Sequence, residues 1–159
     1  MQQNLSYEFS YGSGLVNPLK ALSPGLVYEM SVADCSKLLC TLGVNMTRVV
    51  GHNVTCVDSP KLNARDMNYP WIVLSVNTSI TPLSFNVSRT VTNVGPGNST
   101  YKATLSVHPR VNITVAPDVL RFNSTYQKAT FSISVTLTAA IRPQEVLSSS
   151  LVWSDGLMT

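Results

Sequence analysis

From Ser84 onward the apolar side chains fall on every second position. Phe85, Val87 and Val91 alternate with Ser84, Asn86, Ser88, Thr90 and Thr92, and Tyr101, Ala103, Leu105 and Val107 alternate with Lys102, Thr104 and Ser106. Val111, Ile113 and Val115 repeat the pattern, as do Phe131, Ile133, Val135 and Leu137. Successive side chains of a strand point to opposite faces, so this period places one apolar face on a core and one polar face in water. It excludes amphipathic helices here and predicts half-buried antiparallel strands. Turn signals at Gly95-Pro96-Gly97, His108-Pro109, Pro117-Asp118 and Arg142-Pro143 separate the runs at the spacing of a small sandwich. Strands are predicted near 71–76, 84–93, 100–107, 111–116, 119–123, 128–138 and 147–153. RTVTNVGPGNSTYKA, residues 89–103, reads as a hairpin. Ser154-Asp155-Gly156 should start another, with its returning strand cut short and the last sheet edge left open.

The first 70 residues follow different rules. Residues 10–28 are punctuated by Gly12, Gly14, Pro18, Pro24 and Gly25 and read as turns around short pieces, one of them a helix capped by Asn17 with Pro18 at its first position. Val32, Cys35, Leu38, Leu39 and Leu42 have helical spacing, which predicts a short helix near 31–42 stopped by Gly43. DSPKLNARDMNYP, residues 58–70, looks like a boundary. Two units follow, 1–62 and 66–159.

Composition narrows the partners. Charged residues make up 12% of the chain, against about 25% in an ordinary soluble domain, so the polar faces are built from hydroxyls and amides. The net charge is +3, but Lys and Arg are scattered singly, and no nucleic-acid partner is expected. No apolar run reaches the roughly 18 residues of a membrane helix, so no membrane partner is expected either. The opening MQQNLSYEF lacks the features of a signal peptide. Yet eight of the twelve asparagines stand in Asn-x-Ser/Thr frames: Asn4, Asn45, Asn53, Asn77, Asn86, Asn98, Asn112 and Asn123. That density makes all eight glycosylation candidates and points to a secreted protein. Of the three cysteines, Cys35 and Cys40 lie in one helical stretch and point to different faces, which makes Cys40 with Cys56 the better disulfide candidate.

No catalytic constellation emerges. A serine hydrolase needs a nucleophile, a base and a group that orients the base, and there is no Gly-x-Ser-x-Gly elbow. His52 and His108 sit in irregular or turn segments and read as exposed loop histidines. The cysteines and His52 lack metal-ligand spacing. Gly12-Ser13-Gly14 lacks the lysine of a phosphate loop and reads as a turn. The acidic residues stand singly, and Trp71 and Trp153 read as packing residues rather than a sugar platform. No catalytic residue, metal site or cofactor is assigned.

Eight motifs in order carry a family resemblance: GSGLVNPLKALSPGLVYE, LLCTLG, NYP at 68–70, RTVTNVG at 89–95, STYKA at 99–103, VAPDVLRF at 115–122, QKATF at 127–131 and LVWSDG at 151–156. Together they resemble the C-terminal region of plant subtilisin-like serine proteases of the cucumisin type, over nearly the whole chain. The resemblance implies a mainly β fold: a fibronectin type III-like antiparallel β-sandwich over 66–159, preceded over 1–62 by a short helical and irregular remnant of a subtilisin-like catalytic domain. It implies that the family's catalytic Asp, His, Asn and Ser lie upstream. The function implied is that of a noncatalytic fragment supporting the catalytic domain, its intramolecular partner. It would shape substrate access or dimer contacts, with a homodimer among the expectations. The parent would be extracellular, in apoplast or cell wall. The family's usual cysteine pair corresponds to Cys40 and Cys56. Leu15, Glu29, Cys35 and Trp71 depart from the family's usual His, Asp, Tyr and Ser. The competing expectation is a stand-alone extracellular Ig-like or fibronectin-like binding module.

Overall fold

The computed structural model describes residues 17–45, 47–48, 56, 63–73, 83–142 and 145–156. In chain order they form α1 (Pro18–Ala21), β1 (Leu26–Tyr28), α2 (Val32–Thr41), a 3-10 turn (Ala64–Asp66), β2 (Leu83–Asn93), β3 (Ser99–Ser106), β4 (Val111–Ala116), β5 (Val119–Phe122), β6 (Lys128–Leu137) and β7 (Ser150–Ser154). The strands make two antiparallel sheets, one ordered β1-β2-β6-β4 and one ordered β5-β3-β7. This is the antiparallel sandwich that the period of two demands.

The core forms where the apolar phases of both sheets meet. Val87, Val91, Tyr101, Leu120, Phe122, Phe131 and Ile133 are buried together, each worth about 1.5–3 kcal/mol by leaving water. Phe131 meets the ring of Trp153 edge-on at 5.0 Å, and Tyr101 meets Phe122 at 5.9 Å. Trp153 is therefore a packing residue, while Trp71 stands 38% exposed.

The hairpin expected over residues 89–103 is absent, and the one expected to start at Ser154-Asp155-Gly156 continues outside the described residues. β2, β4 and β6 lie in one sheet and β3, β5 and β7 in the other, so every connection from β2 to β7 crosses the sandwich. Residues 89–103 are thus a corner between sheets, and the His108-Pro109 turn is another. Alternation fixes which face of a strand is apolar but is silent about its pairing partner. A crossing connection satisfies the same pattern, because both apolar faces still reach one core.

Three local expectations also change. Leu26–Tyr28, read as part of a turn region, pairs with β2 in the register Leu26↔Asn93 to Tyr28↔Val91, so the leading segment contributes an edge strand to the sandwich. The strand predicted near 71–76 is irregular at 71–73, and 74–76 lie outside the described residues. Thr92, assigned to the polar phase, is buried. It stands opposite Val27 and Lys128, and the side chains of Glu29 and Lys128 wall the cleft above it.

The helices follow their caps. Lys20 N–H donates to Asn17 Oδ1 at 3.1 Å, with Pro18 in the first turn. Ser31 and Asp34 form a reciprocal capping box: Asp34 N–H donates to Ser31 Oγ at 3.1 Å and Ser31 N–H to Asp34 Oδ2 at 3.2 Å. Gly43, at φ +72°, ends α2 in the left-handed conformation.

Candidate functional site

Three polar side chains weld the leading segment and the loops to the sandwich. The first, Asn68, takes over where β1 stops pairing. Its amide donates to the carbonyls of Glu29 and Thr90, each at 2.8 Å, while its Oδ1 accepts from Thr90 N–H at 2.8 Å. A side chain thus satisfies the backbone groups of β2 that β1 leaves unpaired, which extends the ladder by one residue.

Arg89 is the second. It sits on the apolar phase of β2 between Val87 and Val91 and is 2% exposed. A guanidinium buried there must use its donors. Nε donates to Tyr69 O at 2.8 Å, one terminal nitrogen to Ser88 O at 2.9 Å and the other to Arg65 O at 2.8 Å. Burial pulls its pKa down, countered in part by Tyr28 and Asp66. Burial also pushes the neighbouring Tyr28 phenol up. Residues 65–69 are thereby held on β2 by charge-assisted bonds.

The third, Asn93, is fully buried at the crossing corner. Nδ2 donates to Pro96 O at 2.8 Å and to Ser124 O at 3.3 Å, and Oδ1 accepts from Gly95 N–H at 3.1 Å. Its own N–H and C=O bond Gln127 O and Tyr126 N–H, and the next two N–H groups, of Val94 and Gly95, donate to Gly25 O. Asn93 therefore joins the β2–β3 corner to the β5–β6 loop, and the two residues after it tie in the turn before β1. Gly25 must be glycine there: φ is +72°, and a Cβ would sit 2.8 Å from the Tyr101 hydroxyl.

The titratable groups are committed to such structural tasks. Glu29 pairs with Lys128 at 2.5 Å and is held below the usual carboxylate range by that contact. Asp34 is lowered by its bonds to Ser31, and Asp66 lies 3.8 Å from Arg65. Glu145 forms a two-oxygen pair with Arg110 and accepts from Arg142 N–H, which holds it down at about 2. Glu29 and Asp66 line one shallow cleft of about 290 Å³ with Asn68, Ser88, Thr90, Thr92 and Lys128. Glu29, whose carboxyl is stabilised as the anion, is unsuited to act as a general acid at neutral pH. His108 closes a turn: its N–H donates to Ser149 Oγ at 3.0 Å and its Nδ1 accepts from Arg110 N–H at 3.2 Å. Among the described residues no three His, Cys, Asp or Glu side chains gather as a metal site.

Cys40 and Cys56 are joined by a disulfide with Cα atoms 5.6 Å apart, and Cys35 is a half-buried free thiol. Asn45, Asn86, Asn98, Asn112 and Asn123 are exposed. Asn4, Asn53, Asn77, His52, Leu15 and the Gly12-Ser13-Gly14 turn lie outside the described residues. Neither helix of the leading segment buries a residue, and Leu19, Leu22 and Val32 are each more than 80% exposed. An apolar surface of this kind is what an adjoining body covers.

Sequence reasoning passed over the three welding residues. Arg89 carried a signal, a cation on the apolar phase of a strand. Asn68 and Asn93 were visible only as members of NYP and RTVTNVG.

The fibronectin type-III domain family model matches residues 66–159. Over its length the chain is similar to subtilisin-like proteases of Arabidopsis thaliana. It is 41% identical to subtilisin-like protease SBT4.3, covering 98% of this chain and 21% of that protein. It is 40% identical to SBT4.13 over 95% of this chain and 21% of that one. For SBT4.10 the figures are 38%, 96% and 22%. The chain thus spans about a fifth of the length of these relatives.

Proposed function

The chain belongs to the fibronectin type-III domain family, and from that premise we propose that it is the noncatalytic C-terminal part of a secreted subtilisin-like serine protease, fastening the catalytic domain to the sandwich. One observation carries the reading. α1 and α2 flank β1, which is paired into the sandwich sheet, yet neither helix buries a residue of its own. Whatever body covers Leu19, Leu22 and Val32 is therefore fixed to the sandwich through β1, Asn68 and Arg89. Similarity along nearly the whole chain to proteases about five times longer supports a catalytic domain as that body. The Cys40–Cys56 disulfide and the exposed sequons support an extracellular setting.

Complementation in trans tests the proposal. SBT4.3 lacking its matching fifth is co-expressed in the plant secretory pathway with this chain behind a supplied leader. The chain should co-purify with the truncated protease and restore its hydrolysis, and Leu19→Lys with Val32→Lys should abolish both. Hydrolysis by this chain alone, blocked by a serine-directed covalent inhibitor, would overturn the noncatalytic reading. Failure to associate would overturn the supporting one.

A further inference from the structure

We propose that Asn112 carries an N-linked glycan that guards the free edge of β4 against pairing with another chain. The inference rests on the secretory reading above.

A strand at the end of a sheet presents unpaired N–H and C=O groups, and proteins blunt such edges by shortness, charge, proline, bulges or cover. Three of the four sheet ends here use one of these. β1 has only three residues, and Asn68 occupies the position beyond it. β5 has four residues and carries Arg121. β7 has five, with Asp155 directly after it.

β4 is the fourth end and differs. It pairs with β6 on one side, and among the described residues no strand pairs with the other. Its six residues, VNITVA, contain no charge, proline or glycine. Arg110, just before it, is tied to Glu145. Six residues of high β-propensity and no net charge have the composition and length of a steric-zipper segment. Pro117 and Asp118 follow directly after it, so only its last residue is guarded and the six residues themselves carry no gatekeeper.

What β4 does have is Asn112-Ile113-Thr114, an acceptor frame whose Asn is exposed on the outer face. A glycan is bulky and solubilising, and one rooted on an edge strand blocks the approach of a second strand. The surroundings suit it: Asn112 faces the hydroxyl side of the four-stranded sheet, opposite Thr136, which bonds Ser84 at 3.2 Å. Asn86 shares this face but lies on β2, between β1 and β6. Because β1 pairs only with Val91–Asn93, a glycan at Asn86 also borders a stretch of β2 that has no partner among the described residues.

The test is to secrete the full chain from plant cells behind a supplied leader. Glycopeptide mass spectrometry then reads occupancy of each sequon, and light scattering with thioflavin T reads association. Asn112 should be occupied and the chain monomeric. Asn112→Gln and Thr114→Ala should both lose most of the monomer, whereas Asn98→Gln, just before the start of the central strand β3 of the other sheet, should keep it. Asn112→Lys should also stay monomeric without a glycan, because a lysine on an edge does the same work. That rescue separates edge protection from a folding defect. An unoccupied Asn112 beside other occupied sequons overturns the proposal and leaves the secretory reading standing, as does an Asn112→Gln chain as monomeric as the parent. A chain with every sequon empty overturns both.

Discussion

Replacing Asn93 by alanine tests whether one buried amide holds two loops together. The substitution removes three hydrogen bonds: to Pro96 O, to Ser124 O and from Gly95 N–H. Each contributes about 0.5–1.5 kcal/mol net, and a partner left buried without a substitute costs about 1–3 kcal/mol. Ser124 is exposed and its bond is the longest at 3.3 Å, so its carbonyl recovers water and falls at the low end. Gly95 N–H keeps a second acceptor, Gly25 O at 3.1 Å, and Pro96 is exposed, so these two bonds fall low as well. The sum is about 2 kcal/mol, or a melting temperature lower by about 6 °C for a chain of this size. Guanidinium chloride unfolding followed by circular dichroism measures it, with an unchanged slope confirming that stability rather than the compactness of either state has moved. Asn98→Ala, on an exposed asparagine of the same corner, should change stability by less than about 0.5 kcal/mol. Asn93→Asp keeps the size and the acceptor but aims a carboxylate at two carbonyls, so it should also destabilise at neutral pH. Burial among acceptors raises its folded pKa, so the loss should shrink as the pH falls and the carboxyl takes up a proton. A cost below about 1 kcal/mol for Asn93→Ala would refute the hub.

Asn68→Ala should cost about 2 kcal/mol and speed hydrogen exchange at the Thr90 amide, whose acceptor is Asn68 Oδ1, more than at the Val87 amide. Unchanged exchange at Thr90 would mean that the side-chain ladder does not hold β2. Glu145, held at about 2 against an ordinary 4.5, stabilises the fold above pH 4.5 and loses that contribution as the pH falls through 2. Glu145→Gln should therefore flatten the acid limb of the stability curve while leaving neutral stability lower, as acid titration of unfolding would show. Gly25→Ala should destabilise by about 1–3 kcal/mol, from the left-handed φ and the contact with the Tyr101 hydroxyl. Tyr101→Phe in the same chain should recover part of that, measured as a coupling energy in a double-mutant cycle.

What the sequence made legible was local. The period of two needs only neighbouring residues, and it located β2, β3, β4, β5 and β6 to within a residue or two. The caps at Asn17 and Ser31 are equally local, since each side chain bonds a backbone group three residues on. Pairing is not local. The same runs of alternation are compatible with hairpins and with crossings, since either buries the apolar phases in one core, and the observed crossings rest on pairings between strands distant in sequence. The welding residues stayed hidden for the same reason: Asn68 meets Thr90 at a separation of 22, Arg89 meets Arg65 at 24, and Asn93 meets Ser124 at 31. Thr92 is polar by composition and buried by circumstance, because two charged side chains close over it.

The scarcity of charge links these observations. With 12% charged residues, the chain places several of its carboxylates in specific structural roles: Glu29 on Lys128, Asp34 on the α2 cap, Asp66 beside Arg65, Glu145 on Arg110. Glu29, Asp34 and Glu145 are held in the ionised form by these contacts, which is the opposite of the raised carboxyl that acid–base chemistry at neutral pH calls for. The outer face of the four-stranded sheet has hydroxyl pairs in place of ion pairs, Ser84 with Thr136, Ser88 with Ser132 and Thr90 with Thr130. Such a face hydrates well but repels nothing, so it gives no protection against self-association. Under the glycan proposal, a bulky polymer attached at Asn112 would supply by steric exclusion what charge supplies elsewhere. On this argument the density of sequons and the poverty of charge are two sides of one solution to keeping an open-edged sandwich monomeric.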